Sequence, residues 1–344
     1  MSSHITQAAP PTPQAHDAPP GPLKRMLGGS AGRNLGLVIA FALLILVGAL
    51  TAGERFASFD NFVTIIRYAS ILGVVCVGMT FVITAGGIDL SVGSVMGLSS
   101  VVASLTAVQL ASAQTSWLLI VVISLAVGTL AGLVNGVVIA YGQVVAFMAT
   151  LAMLVGARGL AELISNRSTQ IVSNQGFLEF FRADLLGVPI LIWIFLVVAV
   201  AGWILLNRTT FGRRTVAVGG NAEASRLAGI KVKRHMVYVY MISGLTAGIA
   251  GMMYLGRTTV GTSTHGTLAE LDVIAAVVVG GTLLIGGRGT IVGSVLGILI
   301  FSTLINVFTQ NNLSTSVQNV AKGVIIVIAV LLQQRFAARG KRGS

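Results

Sequence analysis

Residues 71–97 read ILGVVCVGMTFVITAGGIDLSVGSVMG, and Asp89 is the only charged residue among them. The apolar run that leads into the glycine pair is long enough to cross about 30 Å of hydrocarbon, which takes about 20 helical residues. Gly86 and Gly87 interrupt this run, and a second apolar run follows them. The pattern predicts two membrane-spanning helices, over 64–85 and 92–112, joined by a turn at the glycine pair.

Apolar runs of this kind recur along the whole chain of 344 residues. Charged residues make up 9% and hydrophobic residues 55%, whereas a typical soluble domain has about 25% charged residues. The composition excludes an ordinary soluble enzyme and a disordered chain. It predicts an all-α, polytopic integral membrane protein with about ten transmembrane helices, some of them broken at glycines. The predicted spans are 35–52, 64–85, 92–112, 117–141, 145–165, 188–206, 236–256, 270–286, 290–309 and 317–334.

The distribution of Lys and Arg predicts how the spans are oriented. An even number of spans places both termini on one side, and cytoplasmic segments carry an excess of basic residues. With the N-terminus inside, the inner segments hold 15 of the 22 basic residues and the outer loops hold only four. We expect a disordered cytoplasmic tail at 1–33, a transmembrane domain at 34–335 and a basic cytoplasmic tail at 336–344. The inner set is Lys24, Arg25, Arg33, Arg208, Arg213, Arg214, Arg226, Lys231, Lys233, Arg234, Arg288, Arg335, Arg339, Lys341 and Arg342.

A weak internal repeat marks two glycine turns. The pattern VGxTxxI at 77–83, GG at 86–87 and VGSVxG at 92–97 returns as VGxTxxI at 279–285, GG at 286–287 and VGSVxG at 292–297. Chance similarity in a chain rich in Gly and Val is the alternative explanation. Glycine-interrupted segments at corresponding places in two halves of a transporter indicate its pathway. The candidate path or gating residues are Gly86, Gly87, Asp89, Ser91, Gly280, Gly281, Thr282, Gly286 and Gly287.

The longest polar stretch between spans is NRTTFGRRTVAVGGNAEASRLAGIKVKRH at 207–235. It contains seven basic residues and one acidic residue, Glu223. Asn221 is a favourable N-cap and Gly229 a favourable end, so residues 221–229 are predicted to form a short helix. Such a helix is typical of a docking element. The alternative is a basic loop held at the anionic membrane surface.

Asp89 is an ionisable residue between two predicted membrane spans, and the apolar pattern of the spans gives no reason for a charge there. Charged groups inside a membrane are costly and therefore informative. The flanking glycines allow the helix to open, so Asp89 is expected to cap the following helix or to pair with a basic group. A direct role in gating is a third interpretation.

Five other charged residues near the spans have simpler interpretations. Arg158 and Glu162 are four residues apart and predict a neutralising pair on one helix face. Glu270 and Asp272 are expected at the mouth of the eighth span, within reach of the outer solvent. Lys322 lies one turn into the last span and is expected to extend outward.

The sequence lacks the motifs of several enzyme classes. No G-x-x-x-x-G-K-[S/T], H-E-x-x-H or C-x-x-C motif occurs. The four His residues are scattered among the tail and loops, and Cys76 is the only cysteine, so neither a metal site nor a disulfide framework is predicted. The chain is therefore not expected to be an enzyme. Its net charge of +12 reflects membrane topology, and no nucleic-acid partner is expected.

Five stretches of the sequence resemble segments of a known family. TAGGIDLSVGS at 84–94, GNAEASRLAGI at 220–230 and ELDVIAAVVVGGTLLIGGRGTIVGS at 270–294 resemble signature segments of monosaccharide ABC importer permeases of the ribose type. FMATLAML at 147–154 and RTTFGRR at 208–214 are similar to the same family. The resemblance covers roughly residues 55–335.

The resemblance implies a permease subunit of an ATP-driven monosaccharide importer in the bacterial inner membrane. Its implied partners are a second copy or a related permease, a cytoplasmic ABC ATPase, a periplasmic sugar-binding protein and membrane lipid. This chain would bind no cofactor, because ATP is used by the ATPase. The predicted short helix matches the family's coupling region. The candidate coupling residues are Gly220, Asn221, Ala222, Glu223, Ala224, Arg226, Leu227, Ala228 and Gly229.

Two other functions stay open on the sequence alone. An ion-coupled secondary carrier of a small neutral solute would need a chain of carboxylates inside the membrane, and Asp89 alone is a poor candidate for it. A membrane scaffold without transport activity is the third possibility. Neighbouring genes for an ATPase and a binding protein would favour the importer over the scaffold.

Overall fold

The computed structural model describes residues 30–341, so most of the predicted N-terminal tail and the last three residues lie outside the described part. Four strands of two residues each occur in that part: β1 (Gln170–Ile171) pairs antiparallel with β4 (Val260–Gly261), and β2 (Asp184–Leu185) with β3 (Val188–Pro189). Helices make up nearly all the rest. They are α1 (Ser30–Ala52), α2 (Glu54–Ala57), α3 (Phe59–Thr84), α4 (Val92–Ala103), α5 (Thr106–Gln114), α6 (Leu118–Ala140), α7 (Ala146–Ser165), α8 (Gln175–Arg182), α9 (Ile190–Arg208), α10 (Thr210–Gly220), α11 (Ala222–Leu227), α12 (Val232–Thr258), α13 (Ala269–Val279), α14 (Ile291–Gln310) and α15 (Thr315–Lys341).

The helices confirm a polytopic all-α membrane protein. Seven helices of the described chain are long and apolar enough to cross a bilayer: α1, α3, α6, α7, α9, α12 and α14. The predicted span 92–112 is a bent pair, α4 and α5, whose axes differ by 56°, and it makes an eighth if counted as one span. The predicted count of ten is not confirmed. The tenth predicted segment, 317–334, lies within α15.

The predicted span at 270–286 differs most from the structure. Helix α13 has only 11 residues, too few to cross a bilayer alone. Gly280 and Gly281 end it, and Gly281 has a φ of 91°, in the left-handed region that favours glycine. The first copy of the repeat has Gly78 and Met79 at these places and continues as a helix. The second glycine of the pair therefore explains why the two copies differ.

The core lies around α3 and α12. In the most apolar window of each, 67% of the residues are buried, against 17% in α1 and 22% in α7 and α9. Glycines four residues apart bring α6 and α12 together: a Cβ on Gly128 would lie 2.7 Å from the Gly248 Cα, and one on Gly244 would lie 2.8 Å from the Gly132 Cα. Such small residues let helix backbones approach closely in membranes. The site described below is built on this interior.

The predicted ion pair between Arg158 and Glu162 is wrong. Glu162 instead accepts a hydrogen bond from Arg167 at 3.0 Å, because the chain turns back just after α7. The Arg158 guanidinium donates to the backbone carbonyl groups of Ser263 and His265, the second at 2.9 Å. Arg158 thus ties α7 to the loop before α13.

The predictions for Lys322, Glu270 and Asp272 are also wrong. The Lys322 ammonium does not extend to solvent but donates to the Asp272 carboxylate at 2.9 Å. Glu270 and Asp272 are buried, with 8% and 5% of their surface exposed. Helix α15 packs against α13, so the cation of one helix neutralises the carboxylate of the other inside the protein.

Candidate functional site

Asp89 lies in the turn between α3 and α4 and is held by hydroxyl and amide groups. One carboxylate oxygen accepts hydrogen bonds from the Ser91 N–H at 3.0 Å and the Ser91 hydroxyl at 2.6 Å. The other accepts from the hydroxyl of Ser243 on α12 at 2.7 Å. The predicted cap of the following helix is not formed, because Ser91 is the N-cap of α4 and no side chain among residues 30–341 accepts a hydrogen bond from the first turn. Asp89 instead holds Ser91, the residue at which α4 begins. Pairing with a base is wrong, because no Lys, Arg or His of the described chain forms a salt bridge with it.

The same turn is fastened to α6 and α12 by further contacts. The Asn135 side chain on α6 donates to the Ser91 hydroxyl at 2.9 Å. The Tyr240 hydroxyl on α12 donates to the Ile88 carbonyl oxygen at 3.4 Å and covers Gly87 so closely that a Cβ there would overlap with it. The first turn of the repeat is therefore fixed to the core on one side.

The two copies of the repeat contact each other. The hydroxyl groups of Thr80 on α3 and Ser294 on α14 are 2.7 Å apart. The Gly287 N–H in the second turn donates to the Thr84 carbonyl oxygen at the end of α3, at 2.9 Å. The two glycine turns thus lie side by side at one end of the helical bundle.

A third glycine pair, at the end of α10, completes this contact. A Cβ on Gly219 would overlap with the Thr84 carbonyl oxygen and lie 2.7 Å from the Gly287 nitrogen. A Cβ on Gly286 would lie 2.7 Å from the Gly219 carbonyl oxygen and 2.9 Å from the Gly86 Cα. Backbone therefore rests directly on backbone, which only glycine permits here. We call this cluster the glycine junction: Gly86, Gly87, Gly219, Gly220, Gly286 and Gly287.

Helix α11 extends from the junction as a short exposed element. The Asn221 side chain accepts a hydrogen bond from a first-turn N–H at 2.9 Å, which confirms the predicted N-cap. At the other end, Gly229 has a φ of 85° and the Ile230 N–H donates to the Ser225 carbonyl oxygen at 3.0 Å. This is a Schellman ending, and it confirms the predicted stop. Leu227 is 74% exposed.

An ion pair on α11 balances its charge. The Arg226 guanidinium donates to both carboxylate oxygens of Glu223, at 3.0 and 2.6 Å. The hydrogen bond from Arg226 lowers the pKa of Glu223 and raises the pKa of Arg226. Both groups are exposed, so the pair adds little to stability. Because the two charges cancel, α11 has no net charge. Its exposed Ala222, Ala224, Leu227 and Ala228 form a small apolar surface.

The remaining gating candidates lie beside the glycine junction. Gly280 and Gly293 approach so closely that a Cβ on either would overlap with the other's carbonyl oxygen. The Thr282 hydroxyl oxygen accepts a hydrogen bond from the Thr290 N–H at 3.3 Å, which closes the second turn. Gly280, Gly281 and Thr282 therefore shape the turn that presents Gly286.

Sequence reasoning missed part of this site. The polar composition of 207–235 predicts no helix at 210–220, whereas the structure has α10 there, and Thr209 accepts a hydrogen bond from the Gly212 N–H at 3.3 Å as an N-cap does. Gly219 was not among the candidate residues, and the signal for it was its membership of another Gly-Gly pair, 219–220. Ser243 and Asn135 carried no local signal. In residues 30–341, His, Cys, Asp and Glu form no group of three or more suited to a metal ion.

The architecture agrees with that of known proteins. The family described as "Branched-chain amino acid transport system / permease component" matches residues 61–330. The chain is 40% identical to the ribose import permease protein RbsC of Escherichia coli (strain K12), over 86% of this chain and 92% of the relative. RbsC of Bacillus subtilis (strain 168) is also 40% identical, over 89% and 93%. The L-arabinose ABC transporter permease protein AraH of Azospirillum brasilense is 36% identical over 95% of both chains. No solved structure matches.

A bundle of membrane-spanning helices with glycine-interrupted segments at corresponding places of two repeats is typical of membrane transport subunits. The family match and the relatives are more specific: the chain belongs to the family of permease components of transport systems. The resemblance to permeases of ABC sugar importers is confirmed.

Proposed function

We propose that the chain is the membrane-spanning permease subunit of an ATP-driven importer that carries a monosaccharide, a ribose-like pentose or a hexose. The observation that carries the proposal is the 40% identity to ribose import permeases over about nine tenths of both chains. Relatives named for L-arabinose are 36% and 38% identical, so the comparison supports a class of sugar rather than one sugar. The relatives do not favour an ion-coupled secondary carrier.

The assembly that we propose contains partners for the steps this chain does not perform. A second copy or a related permease forms the path together with this chain, and a periplasmic binding protein delivers the sugar. A cytoplasmic ABC ATPase binds and hydrolyses ATP, so this chain binds no cofactor. Both termini lie in the cytoplasm with α10 and α11, and the permease domain covers 34–335 between tails at 1–33 and 336–344.

The coupling step uses α11 as the contact with the ATPase. Its exposed Ala and Leu side chains form an apolar surface of the kind that packs into a partner's groove. Helix α10 ends at Gly220 and Asn221 already caps α11, so no flexible spacer separates the two helices. A displacement of α11 therefore moves the end of α10 that carries Gly219.

The glycine junction passes this displacement to the spans. Gly219 lies against both turns, which connect α3 to α4 and α13 to α14, so its movement acts on four helices. Contact of backbone with backbone leaves no side chain to absorb the movement by changing rotamer. Alternating access needs two packings of similar energy, and glycines at positive φ let the turns change conformation without a Cβ clash. Gly86 and Gly286 both have a φ of 84°.

Uptake into proteoliposomes tests the proposed function. The purified permease is reconstituted with the ATPase and the binding protein of its own transport system, and entry of radiolabelled ribose, arabinose and glucose is measured. We expect uptake of at least one of these sugars to require all three proteins and ATP. Sugar uptake by the permease alone under an ion gradient would contradict the proposal in favour of a carrier. Uptake of leucine but of no sugar would contradict the cargo class.

A further inference from the structure

A basic cavity opens beside α10, close to the base of α11. It has a volume of about 440 Å³ and nine lining residues, of which Arg214, Lys231 and Arg234 are basic and none is acidic. All three basic residues are exposed to solvent. The cavity lies between α10 and the first turn of α12, and its charge suits an anion.

The three cations lack acidic partners in the described chain. Glu223, the only acidic residue of the segment 207–235, is already paired with Arg226. No carboxylate of residues 30–341 forms a salt bridge with a basic residue of the cavity. The positive charge at the cavity is therefore uncompensated, and a bound anion would relieve the repulsion between these groups.

The Arg234 guanidinium is held at the cavity wall, where it can bind an anion. Its Nε donates to the Tyr238 hydroxyl at 2.7 Å, which fixes the guanidinium at the cavity wall and leaves its terminal N–H groups for a ligand. The first turns of α10 and α12 both contribute lining residues, among them Phe211 and His235. Helix N-termini carry partial positive charge, so they add to the attraction for an anion.

The position of the cavity indicates which anion it meets. It adjoins the ends of two spans, α9 and α12. Near the end of α9, the Arg208 guanidinium lies 5.3 Å from the centre of the Trp203 ring, an arrangement typical of the membrane–water interface. Val197, Val200 and Ile204 are exposed on α9, the span that precedes α10, so acyl chains of the membrane would lie against this helix. A ligand with a phosphate and acyl chains matches both parts.

We propose that this cavity binds the phosphate of an anionic phospholipid from the adjacent membrane leaflet. Arg214 on α10 and Arg234 on α12 hold the phosphate from two sides, and Lys231 adds a third charge. Helix α11 connects these two helices along the chain, so the lipid supports the base of the element that we propose binds the ATPase. Lipid binding itself does not depend on the proposed function.

Lipid titration of the full-length protein tests the site. Binding of dioctanoyl phosphatidylglycerol to the protein in neutral detergent is measured by native mass spectrometry, with dioctanoyl phosphatidylcholine and inorganic phosphate as comparison ligands. The variant Arg214→Gln/Arg234→Gln removes two cations from the cavity. The matched control Arg213→Gln/Lys233→Gln removes two cations from the same helices at positions that do not line the cavity.

We expect the cavity variant to bind phosphatidylglycerol at least about tenfold more weakly, since each charge-assisted hydrogen bond is strong, while the control stays near the wild type. Equal loss in both variants would overturn the site in favour of diffuse surface charge, and equal binding of phosphatidylcholine would also overturn it. Displacement of the lipid by inorganic phosphate at equal concentration would indicate a free-anion site instead. If the cavity variant keeps lipid binding but loses the ATPase, the cavity is a protein contact and the lipid proposal fails. Neither sugar nor ATP enters the lipid measurement, so its failure is distinct from failure of the proposed function.

Discussion

Asp89 is a buried carboxylate that pairs with no cation of residues 30–341, and its environment explains how it is tolerated. Only 1% of its surface is exposed. Three hydrogen bonds from Ser91 and Ser243 replace the hydrogen bonds that the carboxylate would form with water. Hydrogen bonds to a charged group contribute about 1.5–3 kcal/mol each. The carboxylate therefore joins the start of α4 to α12 more firmly than neutral side chains would.

Replacement of Asp89 by Ala removes all three bonds, so the Ser91 N–H, the Ser91 hydroxyl and the Ser243 hydroxyl lose their acceptor in the interior. We expect Asp89→Ala to lower the melting temperature in detergent and to reduce sugar uptake strongly. Asp89→Asn keeps one acceptor oxygen and should lie between Ala and the wild type. Thermal unfolding followed by fluorescence and uptake in cells measure both effects. Wild-type stability and uptake in both variants would show that neither folding nor transport requires Asp89.

Local rules predicted some of these residues and failed for others. Asn221 and Gly229 were predicted because a helix end is decided by a few neighbouring residues. The partner of Asp89 on α12 lies 154 residues away, and its identity depends on how α12 packs. Arg158 and Glu162 have the spacing of a helical ion pair, yet Glu162 accepts a hydrogen bond from Arg167, which lies just beyond the end of α7.

At the scale of the element, α11 is the part that we propose contacts the ATPase. We expect Ala224→Glu and Ala228→Glu to reduce uptake at least about tenfold, because burying an unpaired charge in a partner's groove costs more than the roughly 1.4 kcal/mol that a tenfold change requires. ATPase co-purification should fall together with uptake, while the permease stays at its normal level in the membrane.

The matched control for α11 is Ala183→Glu, an exposed position beyond the opposite end of α9. It introduces the same charge and should leave ATPase co-purification unchanged. Wild-type uptake and ATPase binding in both α11 variants would make α11 part of a membrane-surface loop and would refute its coupling role.

Element lengths were predictable where an apolar run was uninterrupted. The long helices α3, α6 and α12 fall close to their predicted spans, because hydropathy over about 20 residues is a strong signal. Helix α13 was predicted too long because Gly280–Gly281 ends it inside an apolar run. The bend between α4 and α5 falls at Ser104 and Leu105, and hydropathy does not register a bend.

At the scale of the whole molecule, the proposed orientation places α10 and α11 in the cytoplasm. The only cysteine, Cys76, is buried, so a Cys76→Ala background gives single-cysteine variants. We expect Ala183→Cys to react with a membrane-impermeant maleimide in spheroplasts. Ala222→Cys should react only after the inner membrane is opened. The reverse pattern would overturn the orientation.

The sequence predicts the two glycine turns of the repeat but not how they pack together in the molecule. Its two glycine turns were recognisable from their spacing. Their contact with each other, and the insertion of Gly219 between them, result from the packing of segments that are more than 60 residues apart. The glycine junction became visible only in three dimensions, and it is the basis of the proposed coupling.

The most direct test of the coupling route is Gly219→Ala, measured in proteoliposomes that contain the ATPase and the binding protein. An added Cβ overlaps with the Thr84 carbonyl oxygen, and overpacking of this kind costs about 1–3 kcal/mol. At the neighbouring Gly220, an added Cβ would lie 4.0 Å from the Gly287 Cα, so Gly220→Ala should have a much smaller effect. We predict that Gly219→Ala keeps ATPase binding and ATP hydrolysis but loses at least about tenfold in sugar uptake. Uptake by Gly219→Ala at the rate of Gly220→Ala would contradict coupling through the glycine junction.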